Sequence, residues 1–310
     1  RHHAAQGCCR FPAQLGRGPA VPGMQLPKPA KRARAREARG DQFMKPNSGN
    51  PGAFGSRATG HLQQALATQM PPSDAYTHQQ GLPEPRAALA EHYSHRDGQA
   101  VLPEQVFLGN GVSELIDIAL RALLNHGDEV LLPSPDYPLW SAATILNDGV
   151  PVYYDCRAED GYMPNPDATE ALITPRTRAL VIINPNNPTG ANYSRALLER
   201  FVAIAAKHQL LLLSDEIYEG ILYDGAQFIP MGSLAGDVPC LSFGGLSKLH
   251  RACGWRVGLA ARVGTQNTWS AMYAARSWGS DSGSAASAAR FSSKASEMYL
   301  RKINPRTTCL

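Results

Sequence analysis

Two uninterrupted apolar runs, Ala179–Ile183 and Leu210–Leu213, lie on either side of Ser194–His208, a stretch with apolar residues at helical spacing. A strand with one wet face alternates polar and apolar residues, so an unbroken run is the mark of a strand buried on both faces. Strands of that kind separated by amphipathic helices imply a mostly parallel sheet with helices on both sides, an α/β fold. The same grammar extends along the chain. Ser113–Leu124 is predicted as a helix, and Glu129–Leu132, Val150–Tyr154, Arg178–Ile183, Leu210–Ser214, Cys240–Phe243 and Arg256–Val263 as strands. Ser194 is placed to cap its helix, because a serine oxygen accepts from the free N–H groups of the first turn. No internal repeat is visible.

The flanks have a different texture. Residues 1–45 carry ten Lys or Arg against Glu37 and Asp41, a net of +8, whereas residues 46–310 carry 20 basic and 24 acidic residues, a net of −4. The basic character therefore belongs to the tail, and no aromatic residues are interleaved with it as single-stranded nucleic-acid binding requires. Residues 1–45 are expected to be mostly disordered, with the end of a helix in 31–45; residues 46–263 form the ordered body with an N-terminal arm. Residues 264–310, including the Ser/Ala-rich stretch 281–297, show little apolar period and are expected to form an atypical tail. The six cysteines include no CxxC pair and no Cys/His spacing of a zinc site, so free thiols, two of them in the core, and no metal are expected. No apolar run approaches the roughly 20 residues of a membrane helix, and no signal-peptide pattern opens the chain, which implies a cytoplasmic setting without membrane or nucleic-acid partners.

Ligands in such sheets gather where strand ends and helix N-termini converge, and four predicted strand-end loops are unusual. Gly109-Asn-Gly-Val-Ser113 leads into a helix, where two glycines and free N–H groups suit an anion, though such a sequence also serves as a plain turn. Asn184-Pro-Asn-Asn-Pro-Thr-Gly190 fixes an irregular backbone with paired amides beside it. Asp215, at the end of a doubly buried strand, needs a cation or donors, since an unpaired buried carboxylate is costly; a protein Lys or Arg or a protonated ring would serve. Finally, Phe243-Gly-Gly-Leu-Ser-Lys248 precedes Gly254-Trp-Arg256-Val-Gly258. Lys248 is either a surface lysine or, with a lowered pKa, a nucleophile, and Arg256 between glycines suits a phosphate.

In order and spacing these motifs resemble the class I/II aminotransferases among the fold-type I pyridoxal-phosphate enzymes, most nearly the bacterial alanine aminotransferase-like group. The likeness covers about residues 31–263. It implies that Lys248 forms the Schiff base with pyridoxal 5′-phosphate, that Asp215 pairs with the pyridine nitrogen, and that Asn187 and Tyr218 contact the phenolic oxygen. It further implies a phosphate site from Gly111, Val112, Ser113, Ser247 and Arg256, and a ring stack from Tyr137. Tyr76 would reach the phosphate of a neighbouring subunit, hence a homodimer, and Gly49 and Asn187 would lie near the substrate carboxylate. Gly245 stands where many relatives have serine, although the alanine-type group is similar to this chain there.

The resemblance implies exchange of an amino group between an amino acid of the alanine or glutamate type and a 2-oxo acid, with Lys248, Asp215 and Tyr218 as the catalytic set. The cofactor carries the electronic burden in such reactions, and the protein orients and tunes it. In the family a small domain built from both chain ends carries the principal arginine for the substrate carboxylate. Residues 1–30 and 265–310 do not resemble it, so the small C-terminal domain is expected to be largely missing. Two alternatives stay open at this level: a defunct cofactor-binding fragment, and another fold-type I reaction such as a carbon–sulfur lyase.

Overall fold

The computed structural model describes residues 35–40 and 49–263. Within the first stretch Ala35–Glu37 form a helical turn that ends at Gly40. The rest of the expected basic tail and the whole stretch 264–310 lie outside the described residues.

Seven strands form one sheet in the order β1-β7-β6-β5-β4-β2-β3, where β1 is Val106–Gly109, β2 Glu129–Ser134, β3 Val150–Asp155, β4 Thr177–Ile183, β5 Leu211–Asp215, β6 Cys240–Gly245 and β7 Gly258–Val263. Pairs β2–β3, β2–β4, β4–β5 and β5–β6 are parallel. β7 alone runs against its neighbours and pairs with both β6 and β1. The mostly parallel sheet expected from the apolar runs is present, and β7 is its single reversal.

Alternation explains why the central strands are apolar throughout. Leu180 and Ile182 of β4 and Leu212 of β5 enter one core, with Tyr93, Leu198, Phe201 and Ile204. Ala179, Val181 and Ile183 of β4, with Leu211 and Leu213 of β5, enter the other, with Leu115, Ile116, Leu120 and Trp140. The helices follow: α1 (Gly60–Gln69), α2 (Pro83–Asp97), α3 (Val112–Leu123), α4 (Leu139–Leu146), α5 (Pro166–Glu170), α6 (Arg195–His208) and α7 (Gly232–Ala235). α2, α6 and α7 cover the first face, and α3 and α4 the second. α1 buries none of its residues.

Local signals account for the ends of several elements. Ser194 caps α6, its oxygen accepting from Leu197 N at 3.3 Å, and Asn165 caps α5 through Asp167 N and Ala168 N. The strand expected from Arg256 begins two residues later, at Gly258. Arg256 instead adopts a left-handed backbone, φ 54°, because the chain must bend there before it enters the sheet beside Gly111. A Cβ on Gly258 would overlap the backbone of Gly111 and Val112. Only glycine permits that approach.

Candidate active site

The C-terminal ends of β1, β2, β4, β5 and β6 share one edge of the sheet, and the reversed β7 brings its first residue to the same edge. Every loop singled out in the sequence opens there. β5 ends in Asp215, whose register partner on β4 is Ile183, the last residue before the Asn184–Gly190 loop. Asn184 N donates to the Asp215 carbonyl at 3.1 Å. In that loop Asn186 Oδ1 accepts from the backbone and hydroxyl of Thr189 at 3.2 and 2.8 Å. Thus tied, the loop leaves Asn187 partly exposed.

Asp215 is buried, and its Oδ2 accepts from the indole Nε1 of Trp140 at 3.1 Å. Its Oδ1 receives only a long contact from Ile217 N at 3.4 Å. Burial pushes its pKa from the usual 3.8 to about 6, against the pull of the Trp140 N–H and the Lys248 charge. Trp140 is itself wholly buried and held edge-to-face on Phe243, 5.5 Å between ring centroids. The sequence shows Trp140 only as part of an apolar helix start; its partner lies 75 residues away.

Lys248 follows β6 on a partly exposed turn. Its Nζ donates to Gly49 O at 3.0 Å and lies 5.8 Å from the centre of the Tyr218 ring. A Cβ on Gly49 would stand 3.0 Å from that Nζ and 3.9 Å from the Tyr218 hydroxyl, so glycine keeps the space over the lysine open. The Tyr218 phenol is pushed above its ordinary range, first by burial and then by the Asp215 charge and by Tyr137. Cys253, absent from the sequence-based set, joins it: its thiol donates to Ser247 O at 2.8 Å and reaches Gly49 O at 3.8 Å.

A second focus lies at the start of α3. Gly111, φ 88°, is buried directly against Arg256, and a Cβ there would overlap the guanidinium. Arg256 donates to Asn110 O at 3.2 Å and to Cys253 O at 3.0 Å, while remaining exposed. Glu114 accepts from Asn110 N at 2.6 Å and holds the loop shut from behind. The result is an exposed guanidinium beside a helix N-terminus, a geometry that holds anions. Ser113 and Ser247 are partly exposed at its margins. Gly245 also has a local reason: a Cβ there would meet Val257 O at 2.7 Å. Tyr76, by contrast, is not brought to the site within this chain and is fully exposed.

A model of the family "Aminotransferase class I and II" matches residues 48–306, running beyond residue 263, where the likeness read from the sequence ended. The chain belongs to the class I and II aminotransferase family. It is 48% identical over 229 residues to an alanine aminotransferase of Mycobacterium tuberculosis, covering 74% of this chain and 53% of that protein. It is 46% identical over 228 residues to the glutamate-pyruvate aminotransferase AlaA of Escherichia coli, covering 74% and 56%. Among solved structures, an aminotransferase from Escherichia coli superposes with a TM-score of 0.77 at 40% identity, covering 86% of this chain and 63% of that one. The chain spans about half the length of the curated relatives it matches.

Aminotransferases of this class use pyridoxal 5′-phosphate. The residues here fit that group. The amine of Lys248 acts electrostatically on the buried Asp215 carboxylate, which among the described residues has no cation within hydrogen-bonding distance, and Arg256 packed on Gly111 forms a cradle suited to a phosphate. The cysteines of the described residues are free thiols, with Cys156 and Cys240 buried in the core.

Proposed function

We propose that the protein represented by this chain is a pyridoxal-phosphate-dependent aminotransferase that exchanges an amino group between an alanine- or glutamate-type amino acid and a 2-oxo acid. One observation carries the reading: the buried carboxylate of Asp215, bonded by an indole rather than by a protein cation, lies in one group with the amine of Lys248. A carboxylate in that state favours a positively charged partner, because an opposite charge offsets the loss of solvation. The protonated ring nitrogen of the cofactor is such a partner.

When bound, the cofactor supplies the electron-accepting ring that transamination requires. The roles of the chain's own residues follow from their chemistry. Lys248 Nζ holds the cofactor and takes the proton from the substrate Cα. Asp215 keeps the ring nitrogen protonated. Tyr218 and Asn187 donate to the phenolic oxygen, and Tyr137 supports the ring face. The N–H groups of Gly111, Val112 and Ser113, with Ser247 and Arg256, hold the phosphate. Gly49 and Asn187 border the substrate carboxylate. Residues 46–263 would constitute the cofactor domain and its arm. The names of the relatives, alanine and glutamate-pyruvate aminotransferases, favour transamination over the lyase alternative and guide the choice of substrates. A homodimer and a cytoplasmic setting complete the proposal. The full exposure of Tyr76 supports the former, and among the described residues no helix is long and apolar enough to cross a membrane.

The test is the visible absorption band of lysine-bound pyridoxal phosphate. The wild-type chain should show it, Lys248→Ala should not, and L-alanine or L-glutamate should convert the wild-type band to that of the pyridoxamine form. A Lys248→Ala protein that retained the band would refute the assignment, and a wild-type band that neither amino acid changes would refute the substrate class. Light scattering after size exclusion would return twice the chain mass if the dimer is correct.

A further inference from the structure

The side of β5 that faces away from the cradle holds an ion cluster with no part in the chemistry above. Arg96, in the last turn of α2 and mostly buried, meets three carboxylates. Its Nε donates to Asp97 Oδ1 at 2.6 Å, its Nη2 pairs with Glu216 Oε2 at 2.8 Å, and its Nη1 pairs with Glu219 Oε2 at 2.6 Å. The guanidinium also lies 4.1 Å from the centre of the Tyr93 ring. Glu216 is further fixed through Oε1, which accepts from Ser214 Oγ and Met231 N, both at 2.9 Å. Only Glu219 retains appreciable exposure, 27% of its side chain.

The spacing of the anchors gives the cluster its meaning. Asp215 and Tyr218 face the site, whereas Glu216 and Glu219, each the next residue in sequence, face Arg96. Asp215 ends the strand and residues 216–219 continue it as a tight turn, so a clamp on Glu216 and Glu219 holds the same short backbone that carries Asp215 and Tyr218. The turn closes on itself through Glu219 N to Glu216 O and Ile221 N to Tyr218 O, both 2.9 Å. A planar guanidinium can hold several carboxylates at once; a lysine ammonium lacks that fork.

We infer that Arg96 is a positioning residue, which grips Glu216 and Glu219 from behind the sheet and thereby sets Asp215 and Tyr218 against the cofactor. The inference rests on the proposed function for what those two residues serve, but the grip itself is read from this chain alone.

Three variants of the full chain, Arg96→Lys, Arg96→Met and Glu219→Ala, test it. Backbone exchange is followed without cofactor, and the dissociation constant for pyridoxal phosphate and the pH midpoint of its lysine-bound band are followed with it. Loss of one charge-assisted anchor should speed exchange at the Glu219 and Ile221 amides about tenfold. The band midpoint should move by about half a pH unit or more, with Arg96→Lys intermediate between wild type and Arg96→Met. A folded Arg96→Lys or Glu219→Ala protein with wild-type band midpoint, affinity and exchange would overturn the inference, whatever its loss of thermal stability. Should Arg96→Lys fail to fold, Glu219→Ala decides the matter, because its anchor is the exposed one. Absence of any band in the wild type would sink the proposed function instead, and the exchange rates would then decide whether the clamp stands.

Discussion

Replacing Trp140 with Phe removes one N–H from Asp215 and, because the indole is wholly buried, leaves a small cavity whose cost does not depend on pH. The edge-to-face packing on Phe243 can survive, since the ring and not the nitrogen makes it. Burial raises the Asp215 pKa from 3.8 to about 6; ionising it in the folded protein therefore costs about 3 kcal/mol relative to the unfolded chain. Because the folded value lies above the unfolded one, stability is greatest below pH 4 as far as this group is concerned, and falls as pH rises from about 4 to 6. The Trp140 hydrogen bond opposes that rise, and a bond to a charged acceptor is worth about 1.5 to 3 kcal/mol. Without it the folded pKa climbs by roughly one to two further units. At pH 5 the carboxyl is mostly protonated in both proteins, and only the packing difference separates them. By pH 8, where a variant carboxyl with a pKa of roughly 7 to 8 is only partly ionised, the gap should widen by about 1.3 to 2.3 kcal/mol. Urea unfolding of the cofactor-free proteins at pH 5, 6.5 and 8 measures the gap directly. A gap independent of pH would refute the reasoning, because it would show that the indole supports Asp215 by volume alone.

Two further outcomes follow from close contacts and burial. Gly258→Ala should cost about 3 kcal/mol in urea unfolding, as overpacking against fixed backbone does, whereas Gly254→Ala, whose added methyl meets open space, should stay close to wild type; equal effects would show that the β7–α3 approach is not tight. Among the described cysteines, iodoacetamide should label Cys253 in the native chain and spare Cys156 and Cys240, whose thiols are buried and pushed to higher pKa. Mass spectrometry of the digested protein reads the pattern, and bound pyridoxal phosphate should slow the labelling of Cys253.

What was legible in the sequence follows from where its signals are local. The runs at β4 and β5 announce two buried faces, and Ser194 announces the start of α6, because each depends on neighbours within a turn or a strand. β1 is implied in the sequence only by the loop that follows it, without bounds: Val106–Gly109 is four residues long, and its pairing partner is β7, some 150 positions away. The reversal of β7 was equally silent, since a strand carries no local mark of its direction. α2 has no clean apolar stripe in its sequence, because its buried face carries Arg86 and Asp97 beside Ala90 and Tyr93. The loops of the site were legible because glycines, prolines and strand ends coincide there. The partners that fix the site were not. Trp140 and Arg96 act on residues 75 and 120 or more positions away, and nothing in their own surroundings names those partners.

Among the described residues the first strand pairs with the last, which bears on the order in which the site can be made. During synthesis Gly111 and the start of α3 emerge early, but the guanidinium beside them belongs to residue 256, and the strand that seats it continues to residue 263. Until that segment has left the ribosome, a nascent chain can possess Lys248 and Asp215 and still lack the guanidinium of the proposed phosphate seat. Anion capture at the proposed seat would thus report that β1 and β7, far apart in sequence, have paired.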